Sequence, residues 1–281
     1  MRKSFLIWTI ALAMVVIPTA AIGQEGSVQY VHDPSIIKQA DTFYVFSTGH
    51  GIPIRRSTNL YDWENIGSVF KKMPDWMPKL VPGVKFPWAP DISFFNGRYH
   101  LYYSVSTFGS NKSAIGLATN KTLDPQDKDY KWVDQGPVLQ SQPDSDDWNA
   151  IDPNVILDEK GQLWMSFGSF WGGIKLCRLN LETGKRADEK LFSIASRPVA
   201  KAIEAPFIIH MKGFYYLFVS FDFCCRGADS TYKIMVGRSK KITGPYYDRA
   251  GWPLMKGGGT LLLAGYGNYR GPGHNAILID G

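Results

Sequence analysis

The chain has 281 residues, 44% of them hydrophobic and 14% aromatic, with a formal charge of +6. That is ample core for one large all-β domain or two ordinary ones, and no like-charged block or low-complexity run marks a disordered tail. Without Arg2 and Lys3 of an N-terminal leader, the 31 basic residues become 29 against 25 acidic ones, a net charge of +4. With no basic stripe, that balance argues against a nucleic-acid surface.

Residues 1–23 read as a cleavable signal peptide: Arg2 and Lys3 lead an apolar run from Phe5 to Ile17, and Ala21-Ile22-Gly23 forms a small-residue site before Gln24. The alternative, an uncleaved anchor, fits less well because the run is short for a membrane span. A secreted or periplasmic chain is expected, with residues 24–281 as its one domain.

Four segments open alike: Asp33-Pro-Ser-Ile36, Ala89-Pro-Asp-Ile92, Asp152-Pro-Asn-Val155 and Glu204-Ala-Pro-Phe207. A fifth copy, His274-Asn-Ala-Ile277, comes just before Gly281. After the first copy, Thr42 to Ser47 alternates as a strand, and Arg56 to Trp63 holds a small-polar outer segment. After the second, Asp91 to Phe95 and Arg98 to Ser104 flank Asn96-Gly97, a strong hairpin signal because both turn residues accept positive φ. Lys160-Gly161 and Lys212-Gly213 take the matching places before the strands Gln162 to Phe167 and Phe214 to Ser220. A repeat of roughly 50 to 70 residues built from short strands reads as propeller blades. The sequence therefore predicts an all-β, five-bladed propeller whose fifth blade is truncated, with few helices. Aligned three residues before the first apolar residue, Asp33, Ala89, Asp152, Glu204 and His274 are expected to ring one mouth of the axis.

Three carboxyl groups in one small site have an obvious chemistry. Glycosidic hydrolysis needs one carboxyl to protonate the departing oxygen and another to activate water or attack the sugar. A third nearby acid raises the donor's pKa and keeps it protonated near neutrality. An acid that merely caps a strand is the plain reading for one such residue, and a weak one for three at equivalent starts. Trp88, Phe108 and Trp171, in or near the blade-start loops, offer apolar faces for a sugar ring. Asp91 and His32 read as hydrogen-bonding residues at strand starts. Cys177 stands alone, and Cys224-Cys225 is either a strained vicinal disulfide or two packing thiols.

Trp148-Asn-Ala-Ile-Asp-Pro-Asn154, Gly168-Ser-Phe-Trp-Gly-Gly173, Ile203-Glu-Ala-Pro206 and the Cys-Cys-Arg-Gly segment resemble the arabinanases of glycoside hydrolase family 43. The likeness runs from His32 to Asn275. It implies a five-bladed propeller that cleaves α-1,5-linked arabinan with inversion. On that resemblance Asp33 is the general base, Glu204 the general acid, and Asp152 the carboxylate that orients substrate and tunes the acid. Asp33, Gly109, the run Asn149, Ala150, Ile151 and Asp152, and the run Ser169, Phe170 and Trp171 match sugar-contacting positions. His274 matches a histidine beside a calcium ion held largely through water. Calcium prefers oxygen ligands, so one imidazole fits only a hydrated ion. The expectation is a monomeric, exported endo-arabinanase acting on plant cell-wall arabinan or its oligosaccharides. The alternatives are an exo-acting arabinofuranosidase or xylosidase of the same family, and a binding propeller without catalysis.

Overall fold

The structure, a computed structural model, describes residues 30–280, so the expected leader at 1–23 lies outside the described residues. Four antiparallel sheets, each an up-and-down meander of four strands, account for the strands of the described residues. The first holds β1 (Ser35–Gln39), β2 (Thr42–Phe46), β3 (Pro53–Ser57) and β4 (Glu64–Ser68). The second holds β5 (Trp88–Phe95), β6 (Arg98–Val105), β7 (Ser113–Asn120) and β8 (Val133–Ser141). The third holds β9 (Asn154–Leu157), β10 (Leu163–Phe167), β11 (Ile174–Leu179) and β12 (Phe192–Ala195). The fourth holds β13 (Ile203–Met211), β14 (Phe214–Phe221), β15 (Lys233–Ser239) and β16 (Thr260–Leu263). A short helix, α1 (Trp76–Leu80), buries Met77 between the first two sheets.

Local chemistry explains the meanders. Asn96 and Gly97 join β5 to β6 with φ of 47° and 70°, and Lys212 and Gly213 join β13 to β14 with 50° and 72°. Two residues in the left-handed region match the right-handed twist of paired strands. The turn from β9 to β10 is longer, running from Asp158 to Gln162, and the Asp158 side chain accepts the Lys160 and Gln162 N–H groups. Neighbouring sheets then pack face to face through three apolar layers. Tyr44, Ile54, Leu101 and Val105 fill the first, Tyr102, Leu117, Met165 and Phe167 the second, and Leu176, Ile194, Leu217 and Val219 the third.

Polar clasps hold the inner strands in register from blade to blade. Ser35 Oγ accepts the Ile92 N–H at 3.1 Å, Asp91 Oδ2 the Val155 N–H at 2.8 Å, and Asn154 Oδ1 the Ile208 N–H at 2.8 Å. Each acceptor lies two residues beyond a blade-opening residue: Asp33, Ala89 or Asp152. A second set uses hydroxyls: Thr48 accepts from Ala89, Ser104 from Asp152, and Ser220 from His274.

The expected five blades are four. His274 takes the fifth opening position, with its N–H on Ser220 at 2.8 Å and φ of 52°. Residues 264–280 nevertheless contribute no strand, only an isolated Tyr266–Tyr269 bridge. A blade requires at least a hairpin, and among the described residues the segment around His274 pairs with no second strand. It runs instead as an extended strap from the fourth blade to the first, where Lys38 Nζ meets Asp280 at 2.9 Å. Glycine permits that close passage: a Cβ on Gly273 would stand 2.1 Å from the Tyr232 ring.

Candidate active site

The blade-opening segments meet around a cleft of about 1320 Å³. Asp33, Asp152, Glu204 and His274 all line it, as do Trp88, Phe108, Gly109, Asn149, Ile151, Ser169, Phe170 and Trp171. Ala150 does not: it is fully buried, and its N–H is given to Ser141 Oγ. Non-glycine residues with positive φ crowd this wall, among them Asp33, Asp152, Phe170, Trp171, Lys201, Cys225 and His274. Such backbone is costly for L-residues, and its concentration at one cleft is the pattern of a site held by its surroundings.

The expected register fails by one residue in the fourth copy. Asp33, Ala89, Asp152 and Ala205 each precede a proline and have φ of 49°, 42°, 57° and 52°. Ala205, not Glu204, is therefore the equivalent of Asp33. Glu204 matches His32 and reaches the cleft beside a register shift between Glu204 and Phe207. Alignment on the proline, rather than on the first apolar residue, would have shown this.

Asp33 is the most heavily solvated by protein. Its Oδ2 accepts the Thr48 hydroxyl at 2.6 Å and faces His32 Nδ1 at 2.8 Å, while Oδ1 faces His274 Nδ1 at 3.2 Å. Burial opposes its ionisation. The His274 charge, the His32 hydrogen bond and charge, and the Thr48 hydroxyl outweigh burial and hold the carboxyl down to about 2. Oδ1 keeps a lone pair free for water, since an ionised carboxylate oxygen accepts two hydrogen bonds. The same contact, with help from Cys225 and against burial, raises His32 to about 10.

The other two acids are pushed the opposite way. Burial raises Asp152 well above the usual carboxyl range, and the charges of Glu204 and Asp33 add to it; one oxygen accepts the Ala205 N–H at 3.1 Å. Burial also raises Glu204, although hydrogen bonds from Ser169 (2.6 Å) and the buried Tyr232 restrain the shift. The site thus sets one carboxyl held toward ionisation against two pushed toward their protonated forms, the division of labour that acid–base catalysis requires.

Aromatic faces border the acids. Phe108 projects from its loop with 86% of its surface exposed, and Trp171 is 36% exposed. Phe86, Phe223 and Arg226 also line the cleft, Arg226 stacking on Phe223 at 4.0 Å. The repeats gave no signal for these three or for Tyr232, because they lie in loops outside the repeated words. Asn149 Oδ1 is buried in the wall without a hydrogen-bond partner, a place where a bound hydroxyl would offset a real cost. Beside His274, Asn275 Oδ1 is likewise buried and unpaired, a hard oxygen of the kind calcium takes. Among the described residues no three His, Cys, Asp or Glu side chains cluster at metal-binding distance. One imidazole and one amide oxygen fit a calcium ion held largely through water.

A propeller whose cleft holds acids of opposed proton affinity belongs, by fold and site, with enzymes of general acid–base hydrolysis. The sequence profile described as Glycosyl hydrolases family 43 matches residues 27–280, and the chain belongs to that family. It is similar to the "Extracellular exo-alpha-(1->5)-L-arabinofuranosidase ArbA" of Cellvibrio japonicus, 45% identical over 98% of this chain and 82% of that protein. It is also similar to the "Extracellular endo-alpha-(1->5)-L-arabinanase 1" of Bacillus subtilis, 43% identical over 95% of this chain and 84% of that one. The solved Cellvibrio cellulosa alpha-L-arabinanase in complex with arabinohexaose superposes with a TM-score of 0.84. That pair is 46% identical, over 88% of this chain and 82% of the solved one.

Proposed function

We propose that the chain is an exported, inverting endo-arabinanase that cuts internal α-1,5 bonds of arabinan. The observation that carries the catalytic reading is the opposed pull on the carboxyls: Asp33 held ionised, Glu204 held toward its protonated form. Glu204 would give its proton to the departing sugar oxygen. Asp33 would take a proton from the water that attacks the anomeric carbon on the opposite face, through the free lone pair of Oδ1. Asp152, on which the Glu204 charge acts, would tune Glu204 in return and fix the sugar through its second oxygen. Inversion leaves room for that water, with roughly 6.5–9.5 Å between the two working carboxyls.

Cleft size supports internal cleavage. About 1320 Å³ exceeds the roughly 300–1,000 Å³ of a pocket for one drug-sized ligand, so several sugar units fit side by side. An exo-acting reading is favoured by the 45% identical relative, which is named for that mode. Sizing the earliest products from linear 1,5-arabinan separates them. Mixed short oligomers are expected; release of arabinose or one fixed oligomer from chain ends would make the enzyme exo-acting, and no cleavage would leave a binding propeller.

The export reading rests on the leader-like residues 1–23 and on relatives named extracellular. Among the described residues no helix is long and apolar enough to cross a membrane. A water-held calcium ion beside His274 would supply positive charge near Asp33. Metal analysis should find calcium after gel filtration, and a chelator should lower the melting temperature; metal-free protein with full rate and stability would remove the ion from the account.

A further inference from the structure

One group beside the catalytic carboxylates, the Cys225 thiol, has no part in the hydrolysis just described. Cys225 Sγ lies 3.7 Å from His32 Nε2, and the other ring nitrogen, His32 Nδ1, is 2.8 Å from Asp33 Oδ2. Sulfur, imidazole and carboxylate stand in line, the order in which a nucleophile, its base and an orienting acid are assembled. Cys224 adds a hydrogen bond to the same sulfur, and both thiols are free. Cys225 is exposed on the cleft wall with φ of 64°, whereas Cys177 is fully buried in the core.

We propose that Cys225 is a covalent modification site that takes low-molecular-weight disulfides, and that capping it closes the cleft beside Asp33. The thiolate attacks one sulfur of R–S–S–R. A Cys225–S–S–R bond forms, the reagent's own S–S bond breaks, and R–S⁻ leaves with the bonding pair and takes a proton from water. The Cys225 sulfur is oxidised as the leaving sulfur is reduced, so the exchange balances. Hydrogen bonds from Cys224 and from His32, with the His32 charge, hold the Cys225 thiol down to about 5 against burial and the Asp33 charge. Cys224 is displaced upward by the same contact, which makes it the poorer nucleophile of the two. The cap would stand between His32 and the cleft. Its effect on hydrolysis rests on the function proposed above; the thiol chemistry does not.

Dithiodipyridine is a suitable probe, because each capping event releases an absorbing thiopyridone. At about pH 6 an ordinary thiol is under about 1% ionised and this one about 90%; with the lower intrinsic nucleophilicity of a low-pKa thiolate, the net gain is about tenfold over free cysteine. Peptide mapping should place the fast cap on Cys225. His32→Gln, which keeps a hydrogen-bonding side chain without a charge, should move the rate–pH midpoint toward the ordinary thiol range. Reaction at Cys224 first, or a His32→Gln profile that matches the wild type, overturns the site. Capped wild type should lose arabinan hydrolysis and regain it with reductant, while Cys225→Ala should hydrolyse equally before and after treatment. Capping at Cys225 with undiminished hydrolysis overturns the closure. Fast capping in a wild-type chain that cleaves no arabinan overturns the proposed function and leaves the modification site standing.

Discussion

At Asp33, Glu204 and Asp152 the same burial produces opposite outcomes, and the difference is the company each carboxyl keeps. Asp33 has two imidazoles and a hydroxyl within 3.2 Å. Glu204 has two neutral hydroxyls, and Asp152 a backbone N–H. The Ser169 hydroxyl stabilises the Glu204 anion, so Ser169→Ala should favour the protonated form and carry the alkaline limb of kcat/KM to higher pH. Asp152→Asn removes a coupled negative charge and should carry the same limb to lower pH. A pH–rate profile of each variant checks both signs. For stability, Asp33 has its folded pKa depressed from 3.8 to about 2. Its contribution is complete above about pH 4 and lost as pH falls through about 2, so an Asp33→Asn chain should lose less stability across that window. Melting temperatures at both ends of the window measure it.

Among the elements, the inter-blade clasps link the blade-opening residues to the fold. Asn154 both donates to Asp91 Oδ1 at 3.1 Å and accepts the Ile208 N–H at 2.8 Å, joining three blades through one buried side chain. Asn154→Ala leaves that N–H unpaired, which costs about 1–3 kcal/mol for a buried donor; urea unfolding should show a loss in that range. Asp91 was legible as a hydrogen-bonding residue at a strand start and Asn154 only as a word of a repeat; their partners appear when strands distant in sequence become neighbours. The inner and second strands were plain: β5 and β6 flank Asn96-Gly97 as their alternation requires. Outer strands such as β4 and β8 are exposed and mixed in polarity, so period-two alternation is faint there. The one-residue error at Glu204 has a physical source as well. Phe207 stands where Ser35, Asp91 and Asn154 stand in the other copies, so the first apolar residue comes one place early in the fourth.

For the molecule as a whole, four blades and a strap enclose the cleft that five blades were expected to surround. The strap reads as a blade opening in sequence because His274 repeats the backbone conformation and hydroxyl clasp of the other openings. Strand formation is a property of pairs, which a single repeated word cannot supply. The strap's contacts differ in weight. Lys38–Asp280 is an exposed ion pair worth about 0–1 kcal/mol, and Lys38→Ala should leave the melting temperature almost unchanged. His274→Ala removes the imidazole 3.2 Å from the Asp33 carboxylate and should cost far more in turnover than in stability.

The assignment of acid and base is tested most directly by pairing Glu204→Gln and Asp33→Asn with two substrates. Linear arabinan has a poor leaving group that must be protonated; an aryl α-arabinofuranoside with an acidic phenol does not. Both variants should fold as the wild type does and lose at least about a thousandfold in turnover on arabinan. On the aryl substrate Glu204→Gln should recover most of its rate and Asp33→Asn none, since water still needs its base. Recovery in Asp33→Asn instead, or wild-type turnover of arabinan by either variant, would contradict the account.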